Sequence, residues 1–140
     1  DVTTLDKSKA AEIRKMLDGY GLTISSLGYY PNPLHPEADH RETVIDHLKK
    51  VIGAAAMLEV PVVGTFVGKD KNKTVPQNFE DFAKVWPPIV KFAKERGVKI
   101  GIENCPMLFS YDEWPGGNNL ASTPAIWRKM WEITPMIILG

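Results

Sequence analysis

The chain has 140 residues, 44% of them apolar, which suits one compact domain, residues 1–140, with a real core. Its 17 basic and 17 acidic residues cancel and form no long run of one sign, so neither a nucleic acid nor a membrane surface gains electrostatic support as a partner. A single cysteine, Cys105, excludes an internal disulfide and fits a reducing compartment, and no apolar run approaches the ~20 residues needed to cross a bilayer. The opening Asp1-Val2-Thr3-Thr4 shows neither an initiator methionine nor a signal-like segment. It reads as a trimmed start of a cytoplasmic protein.

Residues 8–20 read as an amphipathic helix, with Ala10, Ile13, Leu17 and Tyr20 at helical spacing and Gly19 and Gly21 as stops. Residues 22–27 read as a β-branched strand ending at Gly28. Tyr29 to Pro36 carries three prolines, so it forms a stiff loop that presents two aromatics, an amide and an imidazole. Asp39 and Glu42 have capping-box spacing ahead of a helix to about Leu58, with Val44, Ile45, Leu48, Val51, Ile52 and Ala55 inward. Val60 to Val67 is nearly all apolar, as a strand covered on both faces would be. Residues 68–74 read as a solvated loop, and Asn78 as the cap of the next helix. Pro87-Pro88 predict a kink or break near Trp86, because two backbone donors are missing there.

Arg96-Gly97 ends that helix, and Val98 to Glu103 follows as a short apolar strand with a carboxylate and the Asn104 carboxamide at its carboxyl end. A loop of more than a dozen residues runs to about Ser122 and holds Phe109, Tyr111 and Trp114, so it reads as functional rather than disordered. Thr123-Pro124 opens a last helix through Trp127, Met130 and Trp131, and residues 136–139 could start another strand. The order is α-β-α-β-α-β-α, with unit starts 35–40 residues apart. That alternation implies parallel strands joined by right-handed crossovers. A (β/α)₈ barrel contains eight such units in roughly 250 residues, so this chain holds about half of one. A half-barrel leaves edges and a core face open, so the chain either belongs to a longer parent, associates into a homo-oligomer, or forms an open sheet.

In parallel α/β architectures the ligand crevice lies beyond the carboxyl ends of the strands, which places Glu103 for chemistry. The plainer alternative is a carboxylate that caps a helix or pairs with a lysine. With Glu103 placed, the sequence resembles the sugar-phosphate isomerase/epimerase superfamily of xylose isomerase-like TIM barrels. The resemblance runs through Gly28-Tyr29-Tyr30-Pro31-Asn32-Pro33-Leu34, Gly64-Thr65-Phe66-Val67-Gly68 and Gly101-Ile102-Glu103-Asn104-Cys105-Pro106. It continues in Trp114-Pro115-Gly116-Gly117-Asn118-Asn119-Leu120 and Thr123-Pro124. It implies that Glu103 ligates a divalent metal (Mn, Mg, Co or Zn) in the complete barrel and moves a proton beside a sugar carbonyl. Three further family ligands fall on later strands that this chain does not contain, so the metal could be absent here. Tyr29, Asn32, His35, Thr65, Asn104, Trp114 and Asn118 are the candidates for a small-sugar pocket.

The family also includes apurinic DNA endonucleases, which place histidines after the second and third strands. The corresponding positions here offer Ser26, Gly28, Tyr29, Thr65, Phe66 and Gly68, with no histidine and no basic face. That reading is the weakest. His40 and His47 lie on a helix face that looks solvated, and no i,i+4 pair exists, so they read as surface residues. Cys105 lacks a basic partner and reads as a small filler rather than a nucleophile. A non-catalytic, self-associating half-barrel or sugar-binding fragment is the rival from another class.

Overall fold

The computed structural model describes residues 1–105 and 117–135, together with the backbone of 137–139. Among the described residues four helices alternate with four strands: α1 (Lys7–Gly19), β1 (Leu27–Gly28), α2 (Ala38–Met57), β2 (Val62–Thr65), α3 (Val75–Lys94), β3 (Lys99–Ile102), α4 (Pro124–Ile133) and β4 (Ile137–Leu139). The strands form one sheet in the order β1-β2-β3-β4, and every adjacent pair is parallel. Sequential order with parallel pairing is the wall of a (β/α) barrel, here an open arc of four staves.

The core lies between this arc and the helices. Val63, Ile100 and Ile102 are buried from the sheet, against Leu48 and Ile52 of α2, Phe82, Trp86 and Ile89 of α3, and Met130 of α4. The α2 face anticipated from periodicity is the buried one, with Ile45 partly covered and Ala54 added. β2 is covered on one face only: Val63 and Thr65 are buried, while Val62 and Gly64 are half-exposed on the side away from the helices. A strand sealed on both faces was the expectation. Its apolar character serves the helix side, and the other side opens on the hollow of the arc.

Several local expectations are corrected. β1 is two residues long, not six. Its register pairs Leu27 with Val63, so continuing backwards would bring Ser25 opposite Pro61, which has no N–H to give. α2 starts at Ala38 with Glu37 as N-cap and no side-chain capping bond, so Asp39 sits in the first turn rather than at the cap. α3 is capped by Thr74, whose hydroxyl accepts from Gln77 N while Gln77 Oε1 accepts from Thr74 N. Asn78 is instead buried inside the first turns. Its Oδ1 accepts from Asp70 N at 2.7 Å and its Nδ2 donates to the carbonyls of Asp70, Lys73 and Thr74. The 68–74 loop is thus anchored rather than freely solvated, and Gly68 and Asp70 are buried. α3 also passes Pro87 and Pro88 unbroken. The carbonyls those prolines cannot bond belong to Ala83 and Lys84, both exposed to water, while Phe82, Trp86, Ile89 and Val90 lock the other face.

Candidate functional site

The carboxyl ends of β1, β2 and β3 converge at one rim, and two asparagines tie the rim together. Asn32, after β1, donates from Nδ2 to Lys69 O at 2.8 Å, and its Oδ1 accepts from Leu34 N and Lys69 N at 2.9 and 3.0 Å. It therefore clasps the loop after β1 to the loop after β2. Gly68 makes that clasp possible: its φ is +81°, and a Cβ there would strike Asn32 Oδ1. Asn119, fully buried, accepts at Oδ1 from Val67 N and Gly68 N at 3.0 and 3.1 Å. Its Nδ2 faces the carbonyls of Glu103, Cys105 and Ala121. Trp86 Nε1 donates to Val67 O at 3.1 Å and closes the same corner from below.

Glu103 sits in this frame. Its N–H donates to Thr65 O at 3.0 Å, so the β2–β3 ladder runs one residue past β3. Ile100 and Ile102 face the helices, so alternation along the strand turns Gly101 and Glu103 to the open face. The carboxylate is exposed there, and among the described residues it accepts no hydrogen bond and forms no ion pair. The capping and lysine-pairing alternatives therefore find no partner among those residues.

The open face beneath Glu103 is nearly bare. Gly28, Gly64 and Gly101 are aligned in register across three strands. The ring of Tyr30 lies across the first two, its Oη 3.0 Å and its Cε2 2.8 Å from where a Cβ on Gly64 and on Gly28 would stand. Tyr30 also contacts Phe66, with ring centroids 4.9 Å apart and planes inclined by 59°. Phe66 is one register step beyond the Thr65–Ile102 pair, hence beside Glu103. The row Tyr30, Phe66, Glu103 forms a shallow wall of two aromatic rings ending in a carboxylate. Sequence reasoning passed over Tyr30 and Phe66. The signal that could have found them is parity, since each lies two residues beyond a glycine on the open face.

The other sequence candidates have different settings. Tyr29 faces α2, where its ring stacks on His47 at 4.6 Å and 28°, and burial raises its phenol pKa above the usual 10.0. His47 is accordingly half-buried, whereas His40 is exposed. Thr65 is fully buried on the helix side, its hydroxyl donating to Phe66 O. Asn104 Oδ1 accepts from Trp127 Nε1 at 2.9 Å and so anchors α4. His35 Nδ1 accepts from Glu37 N, its carbonyl accepts from Arg41, and its ring lies 4.3 Å from that of His40. Asn118 is half-buried next to the Asn119 hub. Trp114, with Phe109 and Tyr111, lies outside the described residues.

A family model described as the xylose isomerase-like TIM barrel matches residues 1–131. The chain belongs to the xylose isomerase-like TIM-barrel family. Among solved structures it is similar to 3-keto-D-glucoside 4-epimerase from Escherichia coli (TM-score 0.72, 9% identity, 96% of this chain on 52% of that one). It is likewise similar to a xylose isomerase domain protein from Planctomyces limnophilus (TM-score 0.65, 12% identity, 99% on 50%). A third is a D-psicose 3-epimerase from Clostridium cellulolyticum H10 (TM-score 0.62, 18% identity, 90% on 45%). At these identities the likeness is one of fold. The chain spans about half the length of the structures it matches. Among curated proteins, none matches the sequence.

A divalent cation needs several oxygen donors, commonly six or more for the hard cations. Among the described residues no three His, Cys, Asp or Glu side chains gather, and Glu103 is the single carboxylate on the open face beside the rim. One donor does not make a cation site, so the described part of this family member does not by itself fit the metal that its sequence resemblance implies. No helix among the described residues is long and apolar enough to cross a membrane.

Proposed function

We propose that this xylose isomerase-like chain supplies the acid/base half of a barrel that isomerises or epimerises a small sugar or sugar phosphate. The observation carrying the proposal is the Glu103 carboxylate, which finds no partner among the described residues and lies on the open face with its backbone fixed by Thr65 and Asn119. A base must approach the carbon acid without first breaking a competing bond, and Glu103 meets that condition. The carboxylate takes the proton from the carbon beside the sugar carbonyl, and the electron pair moves into an enediol(ate). Return of the proton to the former carbonyl carbon, with the hydroxyl proton passing to the former carbonyl oxygen, isomerises the sugar. Epimerisation instead takes a proton from a second acid on the opposite face of the same carbon, supplied from beyond the described residues. Tyr30, whose ring fills the space over Gly28 and Gly64, and Phe66 offer aromatic faces on which the C–H side of a sugar ring packs. Any divalent metal taking part needs donors beyond the described residues, and the proton transfers above are not routed through one.

The test is turnover of a panel of aldoses and ketoses, free and phosphorylated, run in D₂O with Mn²⁺ or Mg²⁺ supplied. Deuterium uptake at the carbon beside the carbonyl is followed by NMR. Glu103→Gln should lower exchange by at least about 10²-fold, the scale of a general base, with the unfolding midpoint unchanged because the side chain bonds to nothing described. Exchange that survives this substitution would refute the assignment.

A further inference from the structure

Proton transfer by Glu103 gives the Tyr30 hydroxyl no task. Tyr30 belongs to the loop after β1, yet its ring folds back over the strands. The reason is steric. Gly28 and Gly64 carry no side chain, and a Cβ on either would meet the ring, at Cε2 (2.8 Å) and at Oη (3.0 Å). Phe66, two residues past Gly64, lies against the ring at 4.9 Å between centroids. Held in this way the residue is still 41% exposed, and its hydroxyl meets no partner among the described residues. An aromatic body seated on backbone with a wet hydroxyl is a polar group that loses little entropy on binding.

The sheet fixes where that hydroxyl stands relative to Glu103. Gly64 pairs with Gly101, and Glu103 lies two residues further along the same strand line. One strand spacing of about 4.8 Å and two residues of about 3.3 Å put Glu103 roughly 8 Å from Gly64, on which Tyr30 Oη rests. A carboxylate in contact with the carbon it deprotonates takes up about 3 Å of this, and a hydrogen bond nearly 3 Å more. Roughly 2–3 Å is left, the span from that carbon to a hydroxyl oxygen one or two carbons along a sugar chain.

We propose that Tyr30 is a specificity-determining residue. Its hydroxyl bonds a substrate hydroxyl one or two carbons from the carbon that faces Glu103, and the glycines at 28 and 64 set the height of the ring that makes this possible. The proposal rests on the sugar reading of the site given above. It adds which part of the sugar is read: a chain hydroxylated at that position is preferred over its deoxy analogue. A phenol suits the task because it both donates and accepts, so it takes a hydroxyl in either orientation. An analogue without the hydroxyl leaves the phenol unmade in the complex, which is how such a site discriminates.

The test is binding of D-fructose and its 1-, 4- and 5-deoxy derivatives to the 140-residue chain with Mg²⁺ present, followed by NMR of ring-labelled tyrosine. D-fructose should shift the Tyr30 signals. Tyr30→Phe should weaken its binding about 3–10-fold, the scale of one neutral hydrogen bond, with the unfolding midpoint unchanged. One of the deoxy sugars should bind the unsubstituted chain as weakly as D-fructose binds Tyr30→Phe, and the two losses should not add. Gly64→Ala keeps the hydroxyl but lifts it from its seat, and should erase the same discrimination. Deoxy penalties identical in the unsubstituted chain and in Tyr30→Phe overturn the proposal. So does D-fructose binding that leaves the Tyr30 signals unmoved, and so does no saturable binding up to about 100 mM. Deuterium exchange in Glu103→Gln separates the two readings. Exchange lost there while binding ignores Tyr30 overturns this proposal alone, and Tyr30-dependent binding without any exchange overturns the base assignment alone.

Discussion

Asn119→Ala is the substitution on which the architecture of the rim is most exposed to test. The side chain is fully buried and joins three separate stretches: the end of β2, the end of β3 and the run-in to α4. Truncation strands the N–H groups of Val67 and Gly68, both in buried residues, and a buried donor left unmade costs about 1–3 kcal/mol. The three carbonyls weigh less, since two amide hydrogens can serve at most two of them well, and Glu103 lies at the exposed rim. A water entering the vacated space returns part of the loss. The net expectation is about 3 kcal/mol, a large fraction of the ~5–15 kcal/mol available to a domain. With a urea slope of roughly 1–3 kcal/mol/M, the midpoint should fall by about 1–3 M. Exchange at the Val67 and Gly68 amides should accelerate beyond the global change. A midpoint within about 0.3 M of the parent, with those amides still protected, would show that the hub is dispensable and that something else fixes Glu103.

Three further outcomes follow from the same geometry. Gly68→Ala puts a β-carbon at φ +81° and into Asn32 Oδ1, so it should cost about 1–3 kcal/mol in thermal or urea unfolding; a neutral result would mean the clasp can shift freely. Trp86→Phe keeps most of the packing but strands Val67 O, and should cost about 1–3 kcal/mol by the same measurements. Tyr29 titrates above the ordinary phenol value because burial disfavours its anion, so the unfolded chain loses that proton first as pH rises past about 10. Its contribution is therefore complete below pH 10 and declines above it. Between pH 9 and pH 11 the parent should lose more stability than Tyr29→Phe, and equal losses would contradict the assignment.

How far the sequence carried depended on whether a signal was local. The start of α4 was legible because Thr123-Pro124 acts within one turn, and Thr123 Oγ1 does accept from Ile126 N. The inner face of α2 was legible because helical periodicity reports burial whatever the partner. The cap of α3 is also local, in Thr74 and Gln77, whereas Asn78, which the sequence presents as the cap, holds the preceding loop from inside. Pro87-Pro88 predict a kink or break because the missing donors are visible in sequence, whereas the water-exposed carbonyls and the packed Trp86 face are not.

By itself the sequence determined the alternation of helices and strands, the placing of Glu103 at a strand end, and membership in a family that the later comparison bears out. These rest on short-range properties: periodicity, caps and residue order. The fold alone decided that β1 shrinks to two residues, that Tyr30 rather than Tyr29 meets the hollow of the arc, and that Asn119 spans 52 positions to bind Val67. Strand register and long-range hydrogen bonds are pairings between distant segments, and a linear pattern does not contain the partner that fixes which face a side chain takes.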